Sequence, residues 1–168
     1  MHIFSDVFSV EQSKKILEYL YQPKWEFGHC SNPNPKSLFW IMKFDDDKFF
    51  TEELFGVVEK LVKTQIQSDF KLERVYANGQ TFGQDGEFHL DSSSENDYSF
   101  LYYPNMHWDV SWGGETIVKD SNGSAHYFYP IQNCALLYPA NWWHCGRAPT
   151  KECNILRTTI SFKLIGKN

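Results

Sequence analysis

The chain is short of cysteine, and none of its four cysteines is placed to act as a set. Cys30, Cys134, Cys145 and Cys153 contain no C-x-x-C pair. That excludes a zinc ribbon and the cysteine density of a small disulfide scaffold, so free thiols in a reducing compartment are expected. No run approaches the roughly eighteen apolar residues of a membrane span. Met1-His2-Ile3-Phe4-Ser5-Asp6 lacks the basic region and long apolar stretch of a signal peptide. A soluble, cytoplasmic protein with no membrane partner is therefore expected. Basic charge is also scarce: 16 Lys and Arg against 21 Asp and Glu give a formal charge of −5. This balance offers no general phosphate-binding surface and argues against a nucleic-acid partner, although a local basic groove stays open. Repeats, linkers and low-complexity segments are absent as well, and the 168 residues suit one domain.

What the chain has in quantity is aromatic surface. Its 14 Phe, 9 Tyr and 6 Trp make 17% of the residues, which favours a β-rich fold with large side chains between sheets. Two helices are expected near the N-terminus. Ser9-Val10-Glu11-Gln12 reads as a capping box opening a helix over 10–21, with Ile16, Leu17, Leu20 and Tyr21 on one stripe and Pro23 beyond it. Thr51 is positioned to cap a second helix striped by Leu54, Phe55, Val58, Leu61, Val62 and Ile66. Residues 28–37 read as a loop and Phe39 to Phe44 as a short strand.

After residue 69 short β-like runs alternate with turn signals such as Asn78-Gly79, Asp85-Gly86, Gly113-Gly114 and Asn122-Gly123. Strands are predicted over 70–76, 86–91, 98–103, 115–119, 125–129, 134–138 and 155–164. The expected architecture is mainly β with N-terminal helices: helical support over 1–69 and a double-sheet jelly roll over 70–165.

The chemistry-bearing residues begin with His89-Leu90-Asp91. In a strand, residues i and i+2 share a face, so one imidazole and one carboxylate point together. With His144 from far downstream they could complete a two-histidine, one-carboxylate set that binds one face of an Fe(II) ion and leaves the other open, although a lone histidine after the aromatic segment Leu136 to Trp143 is more often a satisfied core residue. H-x-D alone is common by chance, and a surface pair is the plainer reading of it. The last predicted strand places Ile155, Arg157, Thr159, Ser161 and Lys163 on one face and Leu156, Thr158, Ile160, Phe162 and Leu164 on the other. The polar face serves equally a solvent-exposed surface and a cavity wall in which Arg157 forks onto a carboxylate.

The order His89-x-Asp91, Gly113-Gly114-Glu115-Thr116, His144, Arg157 resembles the 2-oxoglutarate- and Fe(II)-dependent oxygenases, and the prolyl 4-hydroxylase-like branch fits best. Tyr76-Ala77-Asn78-Gly79-Gln80-Thr81-Phe82 is similar to the lead-in to that branch's first ligand strand. Leu101-Tyr102-Tyr103-Pro104-Asn105 with Trp108 resembles its segment between the ligands. The resemblance covers about residues 70 to 165. It implies a double-stranded β-helix, with His89, Asp91 and His144 as iron ligands and Arg157 on the distal carboxylate of 2-oxoglutarate. Tyr103 and Ser161 would add hydroxyls there, Tyr76 would line the pocket, and Thr116 would be structural. Arg147 is a second candidate for the keto-acid clamp.

The implied activity is a dioxygenase using Fe(II), 2-oxoglutarate and O2, with ascorbate as a candidate reductant. It would couple oxidative decarboxylation to hydroxylation of an unactivated C–H bond. Asp91 favours hydroxylation over halogenation, because related halogenases carry a small residue at that position. A prolyl residue in a peptide or protein is the first substrate implied, with a free amino acid or small metabolite as the alternative. Related nucleic-acid demethylases carry a second arginine where this chain has Lys163. Arg157 stands where the prolyl 4-hydroxylases that act on collagen-like chains use lysine, so the chain is closer to the arginine-using members; it departs from the branch in the longer approach through Gly83-Gln84-Asp85-Gly86 and in the extended turn from Arg147 to Asn154. A cupin-like module that binds metal or ligand without turnover is the competing class. Oligomeric state is not legible in the sequence.

Overall fold

In a computed structural model, which describes residues 1–33 and 35–167, two antiparallel sheets lie face to face and helices cover the outer side of the larger one. Ten strands make them: β1 (His2–Phe4), β2 (Glu26–His29), β3 (Phe39–Lys43), β4 (Phe70–Gln80), β5 (Tyr98–Tyr103), β6 (Thr116–Lys119), β7 (Ala125–Phe128), β8 (Cys134–Pro139), β9 (His144–Gly146) and β10 (Arg157–Gly166). The large sheet runs β1-β8-β5-β10-β4-β3-β2 and the small one β7-β6-β9. The fold is the jelly roll expected from the sequence.

Strand alternation divides the interior into two layers. On one face of the large sheet, Ile160, Phe162 and Leu164 of β10 join Val75, Ala77, Phe100, Tyr102 and Leu137. These meet Ile16, Phe50, Leu54, Val58 and Val62 from the helices. On the opposite face Leu101, Tyr103, Leu136 and Tyr138 pack with Val118 of the small sheet. Both faces of β10 are therefore buried over most of its length. Its polar residues Arg157, Thr159, Ser161 and Lys163 look into the space between the sheets, where they line a cavity.

The first helix, α1 (Val10–Leu20), opens on the expected capping box. The Ser9 hydroxyl accepts from the Gln12 amide N–H, and the Gln12 side chain accepts from Ser9 N–H. The second starts earlier than expected. A π-helical turn, Phe49–Leu54, leads into α2 (Phe55–Lys63). Thr51 lies inside that turn and donates to the Asp47 carbonyl at 3.0 Å. Asp47, whose carboxylate accepts from Phe49 N–H at 2.9 Å, holds the start of the turn instead.

Several strand expectations need correction. Residues 86–91 form no regular strand; one isolated bridge, His89 to His144, ties them to β9. Asn78-Gly79 is not a turn but continues β4 to Gln80. Gly79 is closely approached there, since a Cβ would stand 2.8 Å from the end of the Leu156 side chain and 3.0 Å from Trp25. The predicted loop over 28–37 begins inside β2, an exposed edge strand that bulges at Gly28, where φ is +121°. Its residue Asn34 lies outside the described residues. Strands β1 and β2 were not expected; with β3 they bring three strands of the large sheet from the segment read as helical support.

Candidate active site

His89 and His144 are presented by paired backbone. Each donates its N–H to the other's carbonyl at 3.0 Å, so the two side chains stand directly opposite on one face. Their ring centroids are 4.3 Å apart. Asp91, two residues past His89, is held from behind, its N–H bonded to the Ala140 carbonyl at 2.9 Å. The Asp91 carboxylate lies 3.6 Å from His89 Nε2 and 3.3 Å from His144 Nε2. One donor atom from each of the three falls within 4.8 Å of the other two.

The tautomers suit metal binding. His89 Nδ1 sits 2.9 Å from the Glu87 carbonyl and His144 Nδ1 2.9 Å from the Trp142 carbonyl. A carbonyl can only accept, so each Nδ1 carries a proton, which leaves each Nε2, the nitrogen nearer Asp91, as the atom to bind a metal. Burial lowers the His144 pKa, which keeps the imidazole neutral despite the nearby carboxylate. Burial alone would raise the Asp91 carboxyl. Lys163 and the two imidazoles instead hold it well below the usual carboxylate range. Two imidazole nitrogens and one ionised oxygen, with both rings fixed through Nδ1, are a fitting donor set for a divalent iron-type ion.

Lys163 and Ser99 were not foreseen here. Lys163, 6% exposed, donates its ammonium to Asp91 Oδ2 and lies 3.2 Å from Ser99 Oγ. The Ser99 hydroxyl donates to the same carboxylate oxygen. Both partners use Oδ2, which leaves Oδ1 toward His89. The signal for Lys163 was present in the alternation of β10, which puts it on the face of Arg157. That for Ser99 was a lone polar residue within an apolar strand.

Arg157 is fully buried between the sheets and makes no ion pair among the described residues. Its three nitrogens donate to neutral acceptors: Nε to the Gly114 carbonyl at 2.5 Å, Nη1 to Gln80 Oε1 at 2.7 Å, and Nη2 to Thr116 Oγ1 at 2.9 Å. The Gly-Gly turn is part of this socket. Gly114 has φ of +71°, and a Cβ there would stand 2.7 Å from Trp108 and 3.2 Å from Arg157 Cδ. Gly146 gives room on the other side, where a Cβ would lie 3.0 Å from Gln80 Oε1.

Tyr76 and Ser161 line the same cavity as His89, His144 and Arg157. The Ser161 hydroxyl is buried with no hydrogen-bond partner. Tyr103 lies in the same inter-sheet layer, and its buried hydroxyl is also unpartnered. Burial pushes its pKa up to about 12, against the opposing charge of Arg157, so it remains a donor. Thr159, not singled out from the sequence, shares the wall. Arg147 is elsewhere: it is exposed, pairs with Asp85 at 3.3 Å and does not border this cavity. A buried arginine with spare N–H groups beside two orphan hydroxyls fits a carboxylate, so the residues present suit 2-oxoglutarate as well as the metal.

No family model matches the chain, and no curated protein matches its sequence. Solved structures do match. A prolyl-4-hydroxylase from Pseudomonas putida superposes with a TM-score of 0.75 at 11% identity, covering 99% of this chain and 92% of that one. A prolyl hydroxylase from Trichoplax adhaerens, in complex with a hypoxia inducible factor peptide fragment, gives 0.72 at 16%, covering 98% and 82%. A 2OG-Fe(II) oxygenase family oxidoreductase from Burkholderia pseudomallei gives 0.72 at 12%, covering 97% and 84%. The chain has the fold of the 2-oxoglutarate- and Fe(II)-dependent oxygenases. The prolyl hydroxylases are among the proteins that share it.

The four cysteines form no disulfide. No helix among the described residues is long and apolar enough to cross a membrane.

Proposed function

We propose that this protein is a 2-oxoglutarate- and Fe(II)-dependent dioxygenase that hydroxylates an unactivated C–H bond. One observation carries the reading: a fully buried Arg157, in no ion pair among the described residues, borders the same cavity as His89 and His144. An unpaired buried cation is costly, and an anionic ligand in this cavity removes that cost. A carboxylate beside a two-histidine, one-carboxylate set is what a keto-acid oxygenase holds.

His89, Asp91 and His144 would bind the iron through His Nε2 and Asp Oδ1, with the Glu87 and Trp142 carbonyls fixing both rings. When bound, the metal supplies oxidative decarboxylation of 2-oxoglutarate by O2 and hydroxylation of the substrate. Arg157 orients the distal carboxylate, held in place by Gly114, Gln80 and Thr116. The hydroxyls of Ser161 and Tyr103 donate to that carboxylate. Tyr76 and Phe39 narrow the cavity and exclude water from the reacting centre. A prolyl residue in a peptide or protein is the substrate that the likeness to prolyl hydroxylases favours. We take the protein to work in the cytoplasm, with the whole chain as one domain.

The test is succinate formation from 2-oxoglutarate by anaerobically reconstituted Fe(II) protein exposed to O2, with and without proline-rich peptides. Succinate release stimulated by the peptides supports both chemistry and substrate, and unstimulated release supports the chemistry alone. Failure to bind either Fe(II) or 2-oxoglutarate would sink the proposal.

A further inference from the structure

Beside the triad, and sharing His89, Tyr76, Asn78, Phe39 and Ser31 with the inner cavity, a second hollow of about 180 Å³ is also lined by His29 and Arg74. Asp91 and Leu90 also line it, so it adjoins the metal ligands directly. Its volume is below the roughly 300–1,000 Å³ of drug-sized pockets, so it suits a group the size of one amino-acid residue.

The electrostatics of this hollow run against those of the chain. Asp91 is its one lining acid, and that carboxylate is already bonded to Lys163 and Ser99. Burial lowers the His29 pKa, and every charged neighbour that acts on it is basic: Arg74, His89, Lys43 and Lys163. Two of these basic groups have an acidic partner: Glu73 lies 3.8 Å from Arg74, and Glu26 3.7 Å from Lys43. Both pairs are about half or more exposed, and such pairs are worth little in water. Arg74 sits over the Tyr76 ring, 5.5 Å from its centroid to the guanidinium carbon, which leaves the fork's edges available. One polar group of the wall lacks a partner. Asn78 Oδ1 is buried, borders both cavities and accepts no hydrogen bond.

We infer that this hollow binds the substrate, and that the substrate carries a carboxylate taken by Arg74 together with an N–H donated to Asn78 Oδ1. The assignment rests on the oxygenase reading for what the hollow adjoins. A carboxylate and an N–H on one small skeleton are the features of a free amino acid, or of an acidic residue beside a peptide N–H.

The experiment is calorimetric titration, with and without bound Fe(II) and 2-oxoglutarate, of compounds matched as carboxylate and primary carboxamide. One arm uses free L-amino acids and their amides; the other uses short proline peptides with Glu or Gln beside the proline. The carboxylate member of at least one arm should bind about tenfold more tightly than its amide, and the arm that shows it identifies the source. Arg74→Gln should bring that ratio to near one. Asn78→Leu should weaken both members alike and preserve the ratio. Equal binding of every carboxylate and its amide, or a ratio that survives in Arg74→Gln, would overturn the inference, even with succinate release intact. A carboxylate preference without succinate release under any condition would spare this site and overturn the oxygenase reading instead.

Discussion

His89 and His144 are joined by two main-chain hydrogen bonds of 3.0 Å, so the spacing of their imidazoles is set by backbone and not by side chains. Replacing either imidazole removes a metal donor without removing the bridge that positions the other. His89→Ala and His144→Ala should therefore lose Fe(II) binding at micromolar metal while keeping wild-type circular dichroism. Anaerobic calorimetry and melting curves check both halves. Undiminished metal binding in either variant would put the ion elsewhere.

Asp91 and Lys163 make a different kind of pair, because each is buried and each depends on the other. Removing one partner of a buried pair costs roughly 3–5 kcal/mol, since the remaining charge is left without compensation. Asp91→Ala should be destabilised on that order in the metal-free protein. Asp91→Ala combined with Lys163→Met should recover most of it, and neither variant should bind iron. Urea unfolding distinguishes this from a cavity effect, which the second substitution would not relieve.

Arg157 is read as the 2-oxoglutarate clamp, so its removal should act on the keto-acid and spare the metal. Hydrogen bonds to charged groups contribute roughly 1.5–3 kcal/mol, and Arg157→Ala should weaken 2-oxoglutarate binding by about a hundredfold. Arg157→Lys keeps the charge but loses the fork, so its loss should be smaller. Gly146→Ala provides an independent check. Its new Cβ would lie 3.3 Å from Arg157 Nη1 and 3.0 Å from Gln80 Oε1, and should weaken 2-oxoglutarate by shifting the guanidinium. Iron binding lost in step with 2-oxoglutarate would contradict the separation of the two roles.

Much of this site was legible because its residues obey short-range rules. Alternation along β10 placed Arg157, Thr159, Ser161 and Lys163 on one face; only the structure shows that the face is a cavity wall. Tyr98–Tyr103 was predicted at its observed bounds, because a short aromatic-rich run interrupted only by Ser99 reads as a strand. Convergence of His89 with Asp91 came out for a different reason than expected. The segment is irregular, and a single bridge to His144 does what a full strand was expected to do. The edge strands β1 and β2 were missed because they are short or largely exposed, leaving no alternation to read. Lys163 was visible as a residue but not as a partner of Asp91, since the two are brought together only by sheet packing. Thr51 illustrates the opposite error: a good capping residue was overridden by Asp47, whose carbonyl and carboxylate both serve the turn.

Acidification should destabilise the metal-free protein in two stages. Burial lowers the His144 pKa below the ordinary 6.5, and burial with its basic neighbours does the same to His29. The unfolded chain therefore binds more protons than the native one as pH falls through about 6.5, and stability declines from there downward. Asp91, held well below its ordinary value of 3.8, acts later: its contribution is intact above that value and is lost as pH falls toward its native-state titration. Melting temperatures in the presence of chelator should fall between pH 7.5 and 5.5, with a further decline below pH 4. His144→Gln should flatten the first decline but not the second. Fe(II) binds the neutral imidazoles in competition with protons, so the metal-loaded protein should gain less from the ion at pH 5.5 than at 7.5. A melting temperature that rises on acidification, or a slope unchanged in His144→Gln, would mean that His144 is not buried as the neutral ligand this geometry requires.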